Sequence, residues 1–501
     1  MNEMNKQFTA PISKAMEAYA GDGALAFHTP GHKQGLGAHP LLKRLITDAG
    51  LRQEVSLMEE LDDLHEPSGC IKEAQALAAE LWGALESLFI INGTTGAIQA
   101  MLLGTLSPGD EVLVPRNAHR SIIGGIILAG ALPVYIQPEI DDRLGIAMGL
   151  GMEKVELAIR QHPNAKALIA IYPTYYGFCC DLARIAELVH EAGMLLLVDE
   201  AHGAHLHFCE SLPRQAIELG ADVAAQSTHK LLGSMTQTSM LHIGSSRVDA
   251  EKIRQTASLL QSTSPNQLLL ASLDIARLQM AQEGKERLQR AVELSEWLRT
   301  EINEIPGLYC PGEEACKDGA AALDFAKLTV NLAGLDISGQ EAELLLRHHW
   351  KVQCELSDPR NLLFIISMAD TKKEADRLLA ALQELAKGHQ QKTAFGSKAA
   401  FTSMADMPKP VQRMSPREAF FSAVRTVALP DAAGCISAET IAFYPPGIPV
   451  LCPGEEITKE LISYIGFYQG RGMRISGASD STLQTIRVCQ SAGCEKAKRQ
   501  G

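Results

Sequence analysis

Seven short apolar runs, alternating with helix-length segments between about residues 68 and 244, constrain this chain more than any other feature. They lie at 88–91, 111–114, 132–136, 167–171, 194–198, 223–226 and 239–243. Runs this apolar have no polar face to turn to water, so both faces of the sheet they form must be covered by the intervening helices. Helical crossovers of that kind join strands that run mainly parallel. The pattern therefore predicts an α/β domain with a mainly parallel seven-stranded sheet. Its first helix is expected over 69–86, where Ile71, Ala74, Ala78, Leu81 and Trp82 recur at helical spacing and Ser68 offers an N-cap.

After residue 244 the period changes. Helices are expected over 250–262 and 268–305, the second reading as broken. A compact α+β unit should follow, with strands in 322–332, 352–355 and 362–368 and helices at 340–349 and 372–387. A Gly/Gln/Ser/Lys-containing linker is expected at 388–403. The remainder, punctuated by Tyr444-Pro445-Pro446-Gly447-Ile448-Pro449, reads as a further α+β domain. The domain division expected is thus an N-terminal arm at 1–37, a large domain at 38–265, a small α+β domain at 266–390 and a C-terminal domain at 391–501. With 501 residues, 46% of them hydrophobic, the chain can fill several cores.

A formal charge of −13 argues against nucleic acid as a main partner and is compatible with a cationic small molecule. The first residues contain no apolar signal segment, and the run 122–136 is broken by glycines and Pro133, so no membrane association and a cytoplasmic location are expected. Eleven cysteines without paired CxxC spacing read as reduced thiols.

In open α/β sheets, ligands gather beyond the carboxyl ends of the strands. Five segments fall there: 92–96, 116–119, 172–176, 199–202 and 227–230. Two carry telling residues, Asp199-Glu200-Ala201-His202 after one run and Ser227-Thr228-His229-Lys230 after the next. A lysine amine able to form a Schiff base and a buried carboxylate able to hold a ring nitrogen protonated are the two opposed contacts that pyridoxal 5'-phosphate needs. Gly93, Thr94 and Thr95 open a helix whose N–H groups and hydroxyls suit a phosphate, with Ser227 and His229 reaching it from the other side. His119 could stack on the ring opposite Ala201 or simply cap a helix. His202 could orient Asp199 or meet the substrate carboxylate. A metal site at His202, His205 and His207 lacks a completing cysteine or acidic set.

These loops, together with Phe27-His28-Thr29-Pro30-Gly31-His32-Lys33, Leu61-Asp62-Asp63-Leu64-His65, Ala438-Glu439, the proline-rich segment and Pro453-Gly454-Glu455, resemble the Orn/Lys/Arg decarboxylases. The resemblance covers nearly the whole chain and is nearest the short bacterial biosynthetic arginine decarboxylases, with no receiver-like domain ahead of the His-Thr-Pro-Gly-His segment. It implies the aminotransferase-like fold (fold type I) and Lys230 covalently bound to pyridoxal 5'-phosphate. Asp199 would lie on the ring nitrogen and His119 on the ring face. Thr94, Thr95, Ser227 and His229 would surround the phosphate, and Thr263 would contact the phosphate held by a partner subunit.

A basic amino acid is the implied substrate, arginine giving agmatine for polyamine synthesis first and lysine or ornithine next. Glu439, Asp62 and Asp63 are the acidic candidates for its far end. His28, His32 and Lys33 fall at the interface or substrate entry of a homo-oligomer of at least two chains, reached by the N-terminal arm. Ser264-Pro265-Asn266-Gln267 departs from relatives that carry an aromatic residue near Gln267. Two other readings use the same residues: an aminotransferase, with Arg347 or Arg360 clamping the α-carboxylate, and a catalytically silent cofactor-binding regulator.

Overall fold

The computed structural model describes residues 6–56, 58–390, 407–409, 411–444, 447–470 and 474–490. Most of the expected linker (391–403), Pro445 and Pro446, the first five residues of the arm and the last eleven of the chain lie outside the described residues.

All seven expected strands form: β1 Glu86–Ile90, β2 Glu111–Pro115, β3 Leu132–Ile136, β4 Ala167–Ile171, β5 Leu195–Asp199, β6 Val223–Gln226 and β7 Ser239–Ile243. They make one sheet in the order β1-β7-β6-β5-β4-β2-β3. β2 runs parallel to β3 and β4, and β5 parallel to β6, while β7 runs against β1 and β6. Every residue of β5 is buried, as its Leu-Leu-Leu-Val-Asp sequence requires.

The chain divides into two compact units, Met1–Thr105 with Leu195–Arg290, and Leu106–Met194 with Ala291–Gly501. The first unit holds α1 (Pro11–Gly21), α2 (Pro40–Gln53), α3 (Cys70–Trp82), α4 (Gly93–Thr105) and α8 (Ala250–Leu260). Ser68 does not cap α3, which starts after Gly69 with no side-chain cap from that residue. Asp62 does so from a distance, its carboxylate accepting from the N–H groups of Ser68 (2.9 Å), Gly69 (2.8 Å), Ile71 (3.0 Å) and Lys72 (3.3 Å). The edge strand β1 is blunted by glutamines. Phe89 N–H donates to Gln75 Oε1 at 2.8 Å, and Ile91 N–H to Gln261 Oε1 at 2.9 Å.

The helix expected to break does not. α9 runs unbroken over Gln267–Asn303, 37 residues. It contains no proline, and the penalty at Gly284 is about 1 kcal/mol. Burial of Leu273, Ala276, Met280, Leu288, Leu298 and Ile302 outweighs that penalty.

The second unit contains α5 (Arg120–Ala129), α6 (Met152–Gln161) and α7 (Leu182–Glu191) beside β2, β3 and β4. It also contains the small sheet β8 (Lys327–Asn331), β9 (Leu356–Ser357) and β10 (Asn361–Ile365), in the order β8-β10-β9. That sheet packs with α10 (Lys372–Gly388) around Leu328, Val330, Leu362, Phe364, Leu382 and Leu385. The strand expected at 352–355 forms later, as β9, and the helix expected at 340–349 becomes a helix over Gly339–Leu345 followed by a π-helical turn, Leu346–Trp350. Towards the C-terminus, α11 (Pro416–Phe421) and α12 (Lys459–Gln469) join two sheets. These are β11 (Val424–Ala428) with β15 (Thr485–Cys489), and β12 (Ile441–Tyr444) between β13 (Ile448–Leu451) and β14 (Arg474–Ser476).

Among the described residues no helix is long and apolar enough to cross a membrane. Nine cysteines among the described residues lie outside any disulfide, but Cys435 is disulfide-bonded. The expectation of reduced thiols fails there because spacing along a chain does not report which sulfurs folding brings together.

Candidate active site

The first unit gathers three of the five segments that sequence placed at strand ends, 92–96, 199–202 and 227–230. β5 delivers Asp199, only 5% exposed, with its Oδ1 accepting from Ala201 N–H at 3.1 Å. Burial pushes its carboxyl above the usual range, and the positive charge of Lys230 opposes that shift, so the two side chains share one electrostatic environment. β6 ends in Ser227, which leads a single helical turn, Thr228–Leu231, carrying Lys230. Lys230 Nζ lies 2.9 Å from His202 Nε2. His202 thus contacts the lysine amine, whereas the sequence reading offered Asp199 or the substrate carboxylate as its partner.

Residues expected to cradle a phosphate come together as well. Gly93 takes φ +77° at the start of α4, a conformation that favours glycine, and its N–H donates to Gln237 O at 2.8 Å. Thr94 Oγ1 is hydrogen-bonded to Ser227 Oγ and donates to Ser239 Oγ at 2.9 Å. The threonine loop and the loop before Lys230, 133 residues apart in sequence, thus meet through hydroxyls. Thr95 is exposed at the same helix start. His229 is anchored through Nδ1 to Thr238 O at 2.7 Å, and burial, with the neighbouring Lys230 charge, holds its pKa below the usual histidine value.

This donor set fits pyridoxal phosphate: an amine, a buried carboxylate, and hydroxyls beside a helix N-terminus whose first residue has no side chain. At Gly96, one turn in, a Cβ would stand 2.1 Å from Asn92 Oδ1, so any larger residue there would have to displace the Asn92 amide.

Other candidates sit elsewhere in the fold. In the second unit, His119 is the N-cap of α5, its Nδ1 accepting from Ser121 N–H at 3.3 Å. The capping alternative is thus realised. Thr263 is exposed in the bend before α9. His28 Nε2 pairs with Tyr19 OH at 2.9 Å and its Nδ1 with Thr29 O at 2.6 Å.

Two of the three acidic candidates are engaged by the fold through both carboxylate oxygens. Asp62 caps α3, and Glu439, 6% exposed, accepts from Ser479 N–H (2.9 Å), Ser479 Oγ (2.7 Å) and Arg487 N–H (3.0 Å). Asp63 engages Oδ1, on the His65 N–H at 2.9 Å. The arginines of the aminotransferase alternative are also occupied, Arg347 3.6 Å from Glu343 and Arg360 donating to Asp142 O at 3.2 Å.

Sequence reasoning missed Glu200. It is fully buried behind Asp199, with Oε2 accepting from Gln226 Nε2 at 2.8 Å and Oε1 from Ala216 N–H at 2.7 Å. Gln226 Oε1 in turn accepts from His242 Nε2 at 3.1 Å, and Ser87 Oγ donates to His242 Nδ1 at 2.7 Å. The directions are fixed: burial drives the His242 pKa down to about 3, so the ring is neutral and donates only through Nε2. The signal available was an acidic residue and a glutamine, each adjacent to a strand-end site residue.

Comparison with known proteins identifies the family. The chain matches the Orn/Lys/Arg decarboxylase major domain over residues 10–374 and the C-terminal domain of the same family over residues 397–493. It is 43% identical to an arginine decarboxylase of Halalkalibacterium halodurans over 97% of this chain and 98% of that one. It is 41% identical to the arginine decarboxylase of Bacillus subtilis over 96% and 98%. In structure it is similar to the lysine decarboxylase of Francisella novicida, with a TM-score of 0.81 at 21% identity, covering 96% of this chain and 81% of that one. An alanine–glyoxylate aminotransferase from Nostoc sp. shares the fold at a TM-score of 0.52, 20% identity and 70% and 92% coverage. With both family domains matched along the length of the chain, and the expected lysine, aspartate and threonine loop assembled, this chain belongs to the Orn/Lys/Arg decarboxylase family.

Proposed function

We propose that this chain is a pyridoxal-phosphate-dependent decarboxylase that converts L-arginine to agmatine and carbon dioxide, feeding polyamine synthesis. The observation that carries this reading is that one unit brings the charge of Lys230 to bear on buried Asp199 and joins the Thr94 hydroxyl to that of Ser227, three residues before the lysine. Lys230 would hold the cofactor's aldehyde and Asp199 its ring nitrogen. Gly93, Thr94, Thr95, Ser227 and His229 would hold its phosphate, Ala201 and His119 would face its ring, and Thr263 would reach the phosphate of a second subunit.

When bound, the cofactor supplies an electron sink for the pair left at the substrate's Cα as carbon dioxide departs. Lys230 must lose a proton to act as a nucleophile, and His202 Nε2, 2.9 Å away, is placed to accept it. Asp199 would present its charge from a strand end only 5% exposed, where solvent screens it weakly. Asp63 is the acidic candidate that the fold engages through one oxygen, and we assign it to the distal guanidinium.

Arginine as substrate is supported by relatives that carry that activity in their names at 41–43% identity, against 25% for the lysine decarboxylases of Pseudomonas aeruginosa and Escherichia coli. A homo-oligomer is supported by the side chains of Leu25, Phe27, Leu36 and Leu45, which are 80–92% exposed. That much apolar surface on the arm and the α2 helix that follows it marks an interface.

The test is purified protein supplied with cofactor and, in turn, arginine, lysine and ornithine, with no keto acid present. Carbon dioxide and agmatine from arginine in preference to the other two are expected. A preference for lysine would move the substrate to the second choice, and turnover that requires a keto acid would make the chain an aminotransferase.

A further inference from the structure

Two segments that the sequence singled out separately, Arg116-Asn117-Ala118-His119 and Pro453-Gly454-Glu455, meet in the second unit. Arg116 follows β2 and is 2% exposed, and its Nη2 donates to Glu455 Oε2 at 3.1 Å and to Val450 O at 3.2 Å. Its Nη1 donates to Cys452 Sγ at 3.4 Å, and the guanidinium lies 4.8 Å from the centre of the Tyr135 ring. Glu455 is 1% exposed and also accepts from Cys452 N–H at 2.8 Å. Its turn is rigid: Gly454 takes φ +89°, and a Cβ there would stand 2.2 Å from Met414 O.

The opposite end of α5 is held as well. Arg417 of α11 donates from Nη1 to Ile127 O at 3.1 Å and Leu128 O at 2.7 Å, satisfying carbonyls that the helix end leaves open. The chain reverses at Gly130, where a Cβ would press to 3.2 Å from Arg417 Cδ.

We infer that Glu455 and Arg417 are positioning residues through which the C-terminal domain clamps α5 at both ends and so sets where His119, its N-cap, stands. An apolar contact would suffice to hold the domain on. A planar guanidinium with three acceptors fixes one orientation instead, and removing one partner leaves a buried charge unpaired. The inference deepens the decarboxylase reading and rests on the assignment of His119 to the cofactor ring.

The experiment compares holoenzyme carrying Glu455→Gln, Arg417→Met, or Arg116→Met with Glu455→Met, each alone and combined with His119→Ala. Agmatine formation and the visible absorption of the bound cofactor are read alongside thermal melting. Glu455→Gln should lower kcat on the order of a hundredfold, the size of effect that a small misplacement produces. Arg417→Met should lower it by about tenfold, with its melting temperature almost unchanged. Neither should add to the loss caused by His119→Ala. The double methionine variant should recover melting temperature but not kcat. Losses that multiply with that of His119→Ala, an unaltered kcat in Arg417→Met, or full recovery of kcat in the double methionine variant would overturn the clamp. Should Glu455→Gln fail to fold, Arg417→Met decides alone. Wild-type protein lacking both cofactor absorption and agmatine formation would instead refute the decarboxylase reading itself.

Discussion

Replacing Glu200 with glutamine should make the protein more resistant to alkaline pH, although it removes the residue next to Asp199. Glu200 is fully buried, and its two oxygens accept from Gln226 Nε2 and Ala216 N–H. Burial raises its pKa from 4.5 to about 8; the two hydrogen bonds oppose that shift, and the negative charge of Glu218 adds to it. The folded state therefore keeps a proton that the unfolded state has lost once the pH exceeds 4.5, so stability falls as pH rises through this window and levels off above about 8. At about 1.4 kcal/mol per pH unit, the whole window is worth on the order of 5 kcal/mol, of which about 3 kcal/mol falls between pH 6 and the plateau.

Glutamine does not titrate, but it offers one acceptor oxygen to two donors, so one N–H is left facing an amide NH₂ at roughly 1–3 kcal/mol. That penalty does not vary with pH. The variant should therefore be slightly destabilised or neutral relative to wild type near pH 6 and more stable than wild type at pH 9, the difference moving in its favour by about 3 kcal/mol. Urea denaturation of both proteins at pH 6, 7, 8 and 9 measures this directly. A stability difference that stays constant across the series would refute the reasoning, because Glu200 would then carry the same charge in the folded and unfolded states throughout.

Three further outcomes follow from the same geometry. Asp199→Asn should lower kcat by about 10²–10³-fold, yet raise or preserve the melting temperature, because burial penalises the charge that is removed; a lower melting temperature with intact kcat would reverse its role. Asp62→Ala should destabilise the protein by about 1–2 kcal/mol through loss of the α3 cap and leave the KM for arginine unchanged, whereas a raised KM at unaltered stability would return Asp62 to the substrate site. Phe27→Ser combined with Leu36→Ser should shift the protein to smaller species in sedimentation velocity, and an unchanged assembly would place the interface elsewhere.

The strands, and the strand-end residues that the fold brings together, were legible in sequence for one reason, and the buried network beside them was hidden for another. Apolar runs separated by helix-length segments report burial directly, so all seven strands lie within two residues of where the pattern puts them. Residues at the strand ends announce chemistry when their types are unusual for a loop, as with Asp199, Lys230 and the threonine pair. The acidic residues chosen for substrate carried no such information. Asp62 and Glu439 look the same in sequence whether they face a ligand or bind backbone N–H groups, and only the fold reveals that their oxygens accept from Gly69, Ile71, Ser479 and Arg487.

Glu200 and Gln226 were missed for a geometric reason. Side chains alternate along a strand, so the neighbour of a site residue is turned away from the site. Asp199 shares its surroundings with Lys230, and Ser227 meets Thr94, while Glu200 and Gln226, next to them in sequence, meet each other. The same alternation that makes a catalytic residue easy to find conceals the residue that supports it. Paired neighbours of strand-end site residues, one acidic and one amide on adjacent parallel strands, are therefore where a buried supporting network should be sought. Here that network extends across β6, β7 and β1 through His242 to Ser87, joining the backbone behind Asp199 to the sheet's outermost strand. A perturbation at Ser87, remote from every group that touches substrate, should then act on the site through the orientation of Glu200 rather than through any change in the chemistry of Lys230.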